Sequence, residues 1–144
     1  PNWKSKDMAE ITAEILGGTR IALNNGRHEW IGDEPENNGG TDTGPTPYEM
    51  LLGALAHCTL VTLVLYARHK GIELGPVSAR YEHEKVPAPE GQAGLVDRIT
   101  SYVTIGGEYE EPVRKRLEQI VGRCRVHKTL TAGAEVVDEV EFIA

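Results

Sequence analysis

Two cysteines, Cys58 and Cys124, are the side chains of this sequence best suited to covalent chemistry. Cys58 lies inside residues 53–71, GALAHCTLVTLVLYARHKG, a nearly uncharged stretch that a folded protein normally buries. A thiol reacts with peroxides as the thiolate, and a dry apolar environment raises the pKa of a thiol. A reactive Cys58 therefore requires positive charge or hydrogen-bond donors close to its sulfur.

The two cysteines also fit less reactive roles. Free cysteine is among the most buried residue types, so both can be packing residues. His57 and His127 lie beside them at short spacing, as zinc ligands would. However, a closed zinc site needs four ligands, and His57 and Cys58 point about 100° apart on a helix. A cysteine hydrolase would need an oxyanion motif and an orienting Asn or Asp, which we cannot locate. Composition and spacing therefore leave packing, zinc binding and redox chemistry open.

Basic side chains that could reach Cys58 occur in the first third of the chain and around Cys124. Taken singly, each is better explained as a solvated surface charge. The candidates are Arg20, Arg27, Arg123, Arg125, His127 and Lys128.

The cysteine-bearing stretch belongs to a predicted long helix over residues 47–70. Thr46 is a possible N-cap, Pro47 suits the first turn, and Gly71 is a natural stop. Residues 50–67 carry no formal charge, so we expect the helix to be buried almost all round. A membrane span is the alternative, because eighteen residues is at the lower edge of the spanning length. Polar residues within the stretch argue against it.

Hairpin patterns lie on both sides of this helix. Alternating runs over residues 9–16, 19–24 and 27–32 predict an antiparallel meander with a turn at Asn25-Gly26. Residues 33–47 are nearly all turn formers and predict an exposed loop. After the helix, residues 77–86 and 95–105 predict a second hairpin.

The last third predicts a second helix and a final strand. The helix begins near Glu110, and its apolar stripe consists of Val113, Leu117, Ile120, Val121 and Cys124. Cys124 is therefore expected on a buried helix face. Residues 134–143 mix valines with acidic residues and predict a last strand.

These elements predict an α+β fold in a single domain over residues 1–144. A formal charge of −7 disfavours nucleic acid and anionic membranes as partners. Residues 1–7 show no signal peptide pattern, so a cytoplasmic location is expected. One small domain has difficulty covering an apolar helix on all sides, which predicts a homodimer with helix 47–70 at or near the interface.

The residues around Cys58 resemble a known motif. Residues 44–52, GPTPYEMLL, followed by Ala54-Leu55 and Cys58-Thr59, resemble the first cysteine motif of the OsmC/Ohr family of osmotically induced and organic-hydroperoxide-resistance proteins. The similarity continues through residues 66–71, YARHKG.

The second cysteine lies in a matching motif. Residues 124–130, CRVHKTL, are similar to the second motif of the family, usually written CPVHRTL. Upstream of the helix, residues 26–28 and 33–35 with Gly39-Gly40 fit the general OsmC-like branch. Taken together, the resemblance spans residues 10–143.

The resemblance implies an intertwined α+β homodimer, with active sites at the subunit interface, that reduces organic hydroperoxides. By position, Cys58 would be the peroxidatic cysteine and Cys124 the resolving one. A thiol reductant, such as a dihydrolipoyl protein, would regenerate the pair, and no metal or organic cofactor would be needed. The alternative is a non-catalytic protein of the same fold that binds a small apolar ligand in the dimer cleft.

The chain departs from the motif of the hydroperoxidase branch near both cysteines. That branch has a glutamate directly after the helix-start proline, where this chain has Tyr48, with Glu49 one step later. Glu49 lies nine residues before Cys58, about 180° around an ideal helix. Arg20 is the candidate for the activating arginine of the family, and Arg125 replaces the usual proline. The candidate catalytic residues are therefore Cys58, Cys124, Arg20 and Glu49.

Overall fold

The computed structural model describes residues 8–144, which divide into two compact units, one up to Leu51 and one from Leu52 onward. The expectation about a signal peptide concerns residues 1–7, outside the described part. The single domain over residues 1–144 stays a prediction. The architecture is α+β, as predicted, with two antiparallel sheets and three α-helices.

The first unit contains an antiparallel meander of β1 (Thr12–Gly17), β2 (Arg20–Asn24) and β3 (Glu29–Gly32). Its register pairs Ile15 with Ile21 and Leu23 with Trp30. Between β2 and β3, the Asn25 side chain accepts hydrogen bonds from the N–H groups of Arg27 and His28 at 2.9 and 2.7 Å. Gly26 has a φ of 93° there, which glycine adopts without strain. The predicted meander and its turn are confirmed.

The loop after β3 is organised by Asp33, whose residue surface is 3% exposed. Its carboxylate accepts hydrogen bonds from the hydroxyls of Thr19, Thr41 and Thr43 and from the N–H groups of Glu34 and Thr43. The hydroxyl of Thr19 and the other threonine donors hold the pKa of Asp33 far below its usual range, although desolvation opposes them. The predicted exposed loop is therefore closed around a buried carboxylate.

Helix α1 (Pro47–Lys70) has the predicted bounds. At its start the N–H of Thr46 donates to Glu49 Oε1 at 2.9 Å, and the N–H of Glu49 donates to Thr46 Oγ1 at 3.3 Å. These reciprocal bonds form a capping box. After the helix, Gly71 has a φ of 66°, and the N–H of Ile72 donates to the Ala67 carbonyl. This left-handed glycine ends the helix.

Only one face of α1 is buried in the single chain. Leu55, Thr59, Leu63 and Ala67, spaced four residues apart, form that face. The opposite side exposes apolar residues, so the predicted burial on all sides is not met within the described chain. These exposed residues are Val61, Val64 and Leu65.

The second unit pairs β4 (Val77–Pro87) with β5 (Leu95–Ile105) in the predicted hairpin. Helix α2 (Glu111–Val121) contributes Leu117 and Ile120 to a core that also contains Leu63 of α1. This packing fixes α1 against α2 and the hairpin, because buried apolar contacts are lost if either element moves.

Helix α3 (Arg125–Ala132) follows a break that the sequence reading missed. The predicted stripe continued to Cys124, but α2 ends at Val121 and Gly122 follows it as the C-cap. Cys124 is the N-cap of α3, with extended φ and ψ angles of −69° and 150°. Cys124 is buried as predicted, but its placement on the face of the second helix is wrong.

The predicted last strand over residues 134–143 is also wrong, because the described chain has no strand there. Val136, Val140 and Phe142 are 79%, 78% and 95% exposed. A strand requires a neighbour for its backbone hydrogen bonds, and within residues 8–144 this segment pairs with none. The alternating side chains alone do not form a sheet.

Candidate functional site

The second unit brings Cys58 and Cys124 together. Cys58 lies in α1 and is half-buried, whereas Cys124 is 1% exposed at the start of α3. Their thiols interact, and this interaction lowers the pKa of Cys58 and raises that of Cys124. Both are free thiols. The two sulfurs are therefore neighbours, as a redox pair requires.

The N-terminal end of α3 also influences Cys58. The backbone N–H groups of Val126 and Arg125 lower the pKa of its thiol. The Thr62 hydroxyl also lies near this sulfur, but it donates its single proton to the Cys58 carbonyl oxygen at 2.6 Å. Thr62 is therefore a minor partner of the sulfur, and the α3 backbone is the main one.

The pKa of Cys58 is lower than that of an ordinary thiol. Desolvation raises it, but the donors from Val126, Cys124 and Arg125 together outweigh desolvation. Donors at a helix N-terminus favour a thiolate because they carry the positive end of the helix dipole. Cys58 is therefore the cysteine of the pair that ionises first.

Cys124 has the opposite character. Burial raises the pKa of its thiol, and the neighbouring Cys58 thiolate raises it further. Two donors oppose this shift: the N–H of His127, 3.2 Å from Cys124 Sγ, and the hydroxyl of Thr59, 3.7 Å from the same atom. Cys124 therefore keeps its proton to a higher pH than Cys58 does.

The other two predicted site residues lie in the first unit and make contacts there. Arg20, the first residue of β2, donates from Nε to Thr43 Oγ1 at 3.1 Å. Glu49 is used in the capping box, and the backbone N–H of Thr46 lowers the pKa of its carboxyl. Their roles in catalysis stay predictions.

The zinc interpretation gains no support from the described residues. Across residues 8–144, no three His, Cys, Asp or Glu side chains are grouped so that they could hold a metal ion. His127 takes part in the cysteine pair through its backbone N–H.

The sequence reading missed the backbone donors of α3. The candidates visible in the sequence are basic side chains, whereas main-chain N–H groups of Val126 and Arg125 lower the pKa of Cys58. The available signal was the short polar stretch from Cys124 onward, in which a cysteine occupies an N-cap position. Cysteine is not among the preferred N-cap residues, so the stretch reads as the end of the preceding helix.

Comparison with known proteins agrees with this fold. The model of the family described as OsmC-like protein matches residues 40–138. A search of curated proteins gives no match. The chain belongs to the OsmC-like protein family, because the matched segment covers more than half of it.

Solved structures share the fold at low sequence identity. An OsmC-like protein from Mycoplasma pneumoniae is 23% identical, with a TM-score of 0.70 over 88% of this chain and 89% of that chain. A putative osmotic stress induced and detoxification response protein from Psychrobacter arcticus is also 23% identical, with a TM-score of 0.66 over 86% and 89%. The organic hydroperoxide resistance protein OhrB of Bacillus subtilis is 20% identical, with a TM-score of 0.57 over 85% and 89%.

Family membership also explains the apolar composition of α1. Among the described residues, this helix is long and apolar enough to cross a membrane. The core helix of a soluble protein has the same properties, and one face of α1 is packed in the core. In this family the helix belongs to a soluble α+β protein.

Proposed function

We propose that this protein is a thiol-dependent peroxidase that reduces organic hydroperoxides through Cys58 and Cys124. The observation that carries the proposal is the interacting cysteine pair, in which the pKa of Cys58 is lowered and that of Cys124 is raised. Because the two pKa values shift in opposite directions, the thiol with the lowered pKa is assigned as the nucleophile and the other as the resolving thiol.

In the first step, the Cys58 thiolate attacks the distal oxygen of the hydroperoxide. The O–O bond breaks, and the alkoxide takes up a proton and leaves as the alcohol. Cys58 is oxidised to a sulfenic acid, and the peroxide is reduced by two electrons. The α3 N–H groups of Arg125 and Val126 stabilise the thiolate before this attack.

In the second step, Cys124 loses its proton and attacks the sulfenic sulfur of Cys58. An S–S bond forms, the S–O bond breaks and water leaves. A dithiol reductant, such as a dihydrolipoyl group, then reduces the disulfide by thiol–disulfide exchange and is itself oxidised to a disulfide. The interaction between the two thiols supports this step, because it requires their sulfurs to lie near each other.

The surroundings of Cys58 favour an organic substrate. The helix around it carries no formal charge from residue 50 to residue 67. An apolar surface favours binding of an alkyl or aryl hydroperoxide, because apolar area of the substrate is removed from water. Hydrogen peroxide has no apolar group and does not gain this binding free energy. The hydroperoxide resistance in the name of the Bacillus subtilis relative is consistent with this substrate class.

The exposed face of α1 further supports a homodimer. Val61, Val64 and Leu65 are 38%, 42% and 53% exposed on one helix. Burying such a patch against a second copy removes apolar surface from water. In this proposal the dimer covers the helix, and the cytoplasm supplies the reducing environment that restores the thiols.

A thiol-consumption assay tests the activity. Reduced protein is mixed with cumene hydroperoxide, and free thiols and cumyl alcohol are measured over time. We expect two thiols to be lost for each alcohol formed in the wild type. Cys58→Ser should abolish alcohol formation, whereas Cys124→Ser should form one alcohol and stop at the sulfenic acid. Slow thiol loss that is unchanged by Cys58→Ser would contradict catalysis and favour a non-catalytic ligand-binding protein.

A further inference from the structure

Cys124 has a structural role in α3 in addition to its proposed chemistry. It is the N-cap of this helix, and its Sγ accepts a hydrogen bond from the N–H of His127 at 3.2 Å. The hydroxyl of Thr59 donates to the same sulfur at 3.7 Å. The first N–H groups of an α-helix have no carbonyl partner within the helix, so a side-chain acceptor at the N-cap stabilises the first turn. One sulfur atom therefore caps α3 and is also the proposed resolving thiol.

The helices that follow or contain the two cysteines are packed to different degrees. Helix α1, which contains Cys58, has a buried face on which Leu63 is 0% exposed. None of the eight residues of α3 is buried. A helix this short is marginal in water unless packing or capping stabilises it. If the two sulfurs are joined, we expect the resulting movement to occur at the start of α3 and not in α1.

We propose that α3 is a redox-dependent cover of Cys124, whose first turn is closed while Cys124 is a thiol and opens when Cys124 forms a disulfide with Cys58. The inference rests on the proposed function, because that reaction supplies the disulfide. Both cysteines are free thiols in the structure. An S–S bond places its two sulfurs about 2.0 Å apart, so they must approach each other to form it. In doing so the Cys124 sulfur leaves its capping position, and the N–H of His127 loses its acceptor.

Opening of the cover gives the reductant access to the disulfide. Cys124 is 1% exposed and Cys58 is half-buried, so α3 and its surroundings shield the Cys124 sulfur while the cover is closed. Thiol–disulfide exchange requires a thiolate to reach one sulfur of the disulfide, and its rate depends on that access. Reduction restores the Cys124 thiol, which caps α3 again. The cover therefore shields Cys124 in the reduced protein and admits a reductant after oxidation.

The test is amide hydrogen exchange, measured by NMR, in the reduced and the disulfide-bonded full-length protein. Diamide makes the disulfide without a hydroperoxide, because it takes up the two thiol hydrogens with two electrons and is reduced to the hydrazine. Mass spectrometry verifies the bond between Cys58 and Cys124. We expect the amides of His127 and Lys128 to exchange about fivefold faster in the disulfide form, as for loss of an N-cap, and that of Leu117 in α2 to be unchanged. Equal or slower exchange of the α3 amides in the disulfide form would overturn the proposal.

Cys124→Ser and Cys124→Ala are a matched pair of variants that test the cap itself. Neither can form the disulfide, and both leave Cys58 in place. Serine is a preferred N-cap residue, whereas alanine is a poor one. We expect the α3 amides of Cys124→Ser to exchange at the rate of the reduced wild type, and those of Cys124→Ala to exchange about fivefold faster. Equal exchange in the two variants would show that the side chain at position 124 does not hold the first turn, and would overturn the proposal.

The exchange measurements also separate this proposal from the proposed function. Faster α3 exchange in the disulfide form of a protein that leaves cumene hydroperoxide unreacted would support the cover and reject the peroxidase. Unchanged α3 exchange in a protein that forms the disulfide with cumene hydroperoxide would reject the cover and support the peroxidase. Failure of diamide to join Cys58 and Cys124 would reject both.

Discussion

The hydroxyl of Thr59 donates a hydrogen bond to Sγ of Cys124 at 3.7 Å, although the two residues are 65 positions apart. Both are 1% exposed. Thr59 directly follows Cys58. One turn of α1 therefore contains the proposed nucleophile and the residue that donates a hydrogen bond to the proposed resolving thiol.

Thr59→Val should slow disulfide formation several-fold and leave the oxidation of Cys58 unchanged. Valine keeps the shape of threonine but lacks the hydroxyl that favours the Cys124 thiolate. Stopped-flow measurement of peroxide loss and trapping of the sulfenic acid by dimedone separate the two steps. Thr59→Ser, which retains the hydroxyl, is the control. Equal disulfide rates in Thr59→Val and the wild type would show that this bond is irrelevant to resolution.

Alkylation should label Cys58 at a lower pH than Cys124. The pKa of Cys58 is lowered from its ordinary value of 9.0, and that of Cys124 is raised from the same value. Peptide mass spectrometry after iodoacetamide treatment at a series of pH values measures both midpoints. In the denatured protein the two midpoints should coincide, and the reverse order in the folded protein would contradict the assigned roles.

The same shifts predict how ionisation of the pair changes stability. With its lowered pKa, Cys58 stabilises the folded state fully above pH 9.0, and this contribution is lost as pH falls through the folded pKa. Cys124 acts oppositely, since its contribution is present below pH 9.0 and is lost as pH rises through its folded pKa. In urea unfolding of reduced protein, the wild type should therefore gain stability relative to Cys58→Ser as pH rises toward 9.0. If the free energy of unfolding of the wild type and that of Cys58→Ser differ by the same amount at every pH, the lowered pKa of Cys58 is contradicted.

Glu49→Gln should leave both stability and the rate of Cys58 oxidation nearly unchanged, because a glutamine oxygen can still accept from the Thr46 N–H. Thr46→Ala removes the other half of the capping box and should lower the free energy of unfolding by about 1 kcal/mol. Urea denaturation and the cumene hydroperoxide assay measure the two effects. Loss of oxidation in a fully stable Glu49→Gln would instead show that the carboxylate takes part in the chemistry.

Asp33→Asn should destabilise the first unit. An asparagine amide places an NH₂ group where the carboxylate now accepts from several threonine donors. Because the pKa of Asp33 is far below its ordinary 3.8, its stabilising effect is complete above that value and is lost as pH falls toward the folded pKa. In urea unfolding, the difference in the free energy of unfolding between the wild type and Asp33→Asn should decrease only below about pH 4. A difference that disappears at higher pH would contradict the lowered pKa of Asp33.

Leu65→Glu should convert the proposed dimer to monomers. Leu65 is 53% exposed in the single chain, so the charge disturbs no packed core there, but it would be buried at a subunit interface. Sedimentation equilibrium measures the change, with Glu118→Gln on the exposed side of α2 as the control. A wild-type protein that is monomeric at micromolar concentration would reject the dimer.

Local signals in the sequence were sufficient to predict most of the fold. Pro47, Glu49 and Gly71 set the bounds of α1 because capping and left-handed glycine act within a few residues. Asn25 and Gly26 likewise fixed the β2–β3 turn. The last strand failed because strand formation depends on a distant partner, which alternation in the sequence does not reveal.

The site was predictable only at the level of its two cysteines. Their pairing depends on packing between α1 and the segment after α2, and the break at Gly122 that turns Cys124 into an N-cap was not visible in the apolar stripe. The donors from Arg125 and Val126 are main-chain groups, whose direction depends on where a helix begins and not on which side chains are present.

Main-chain donors at the start of α3 also affect how the protein tolerates mutation. Nearly every amino acid supplies the same N–H at position 126, so most substitutions there preserve a main-chain group that lowers the pKa of Cys58. A saturation scan scored by survival under hydroperoxide stress would consequently rate this position as permissive. The chemistry can thus persist while the residues next to it diverge, and sequence variability at α3 is a poor guide to its contribution.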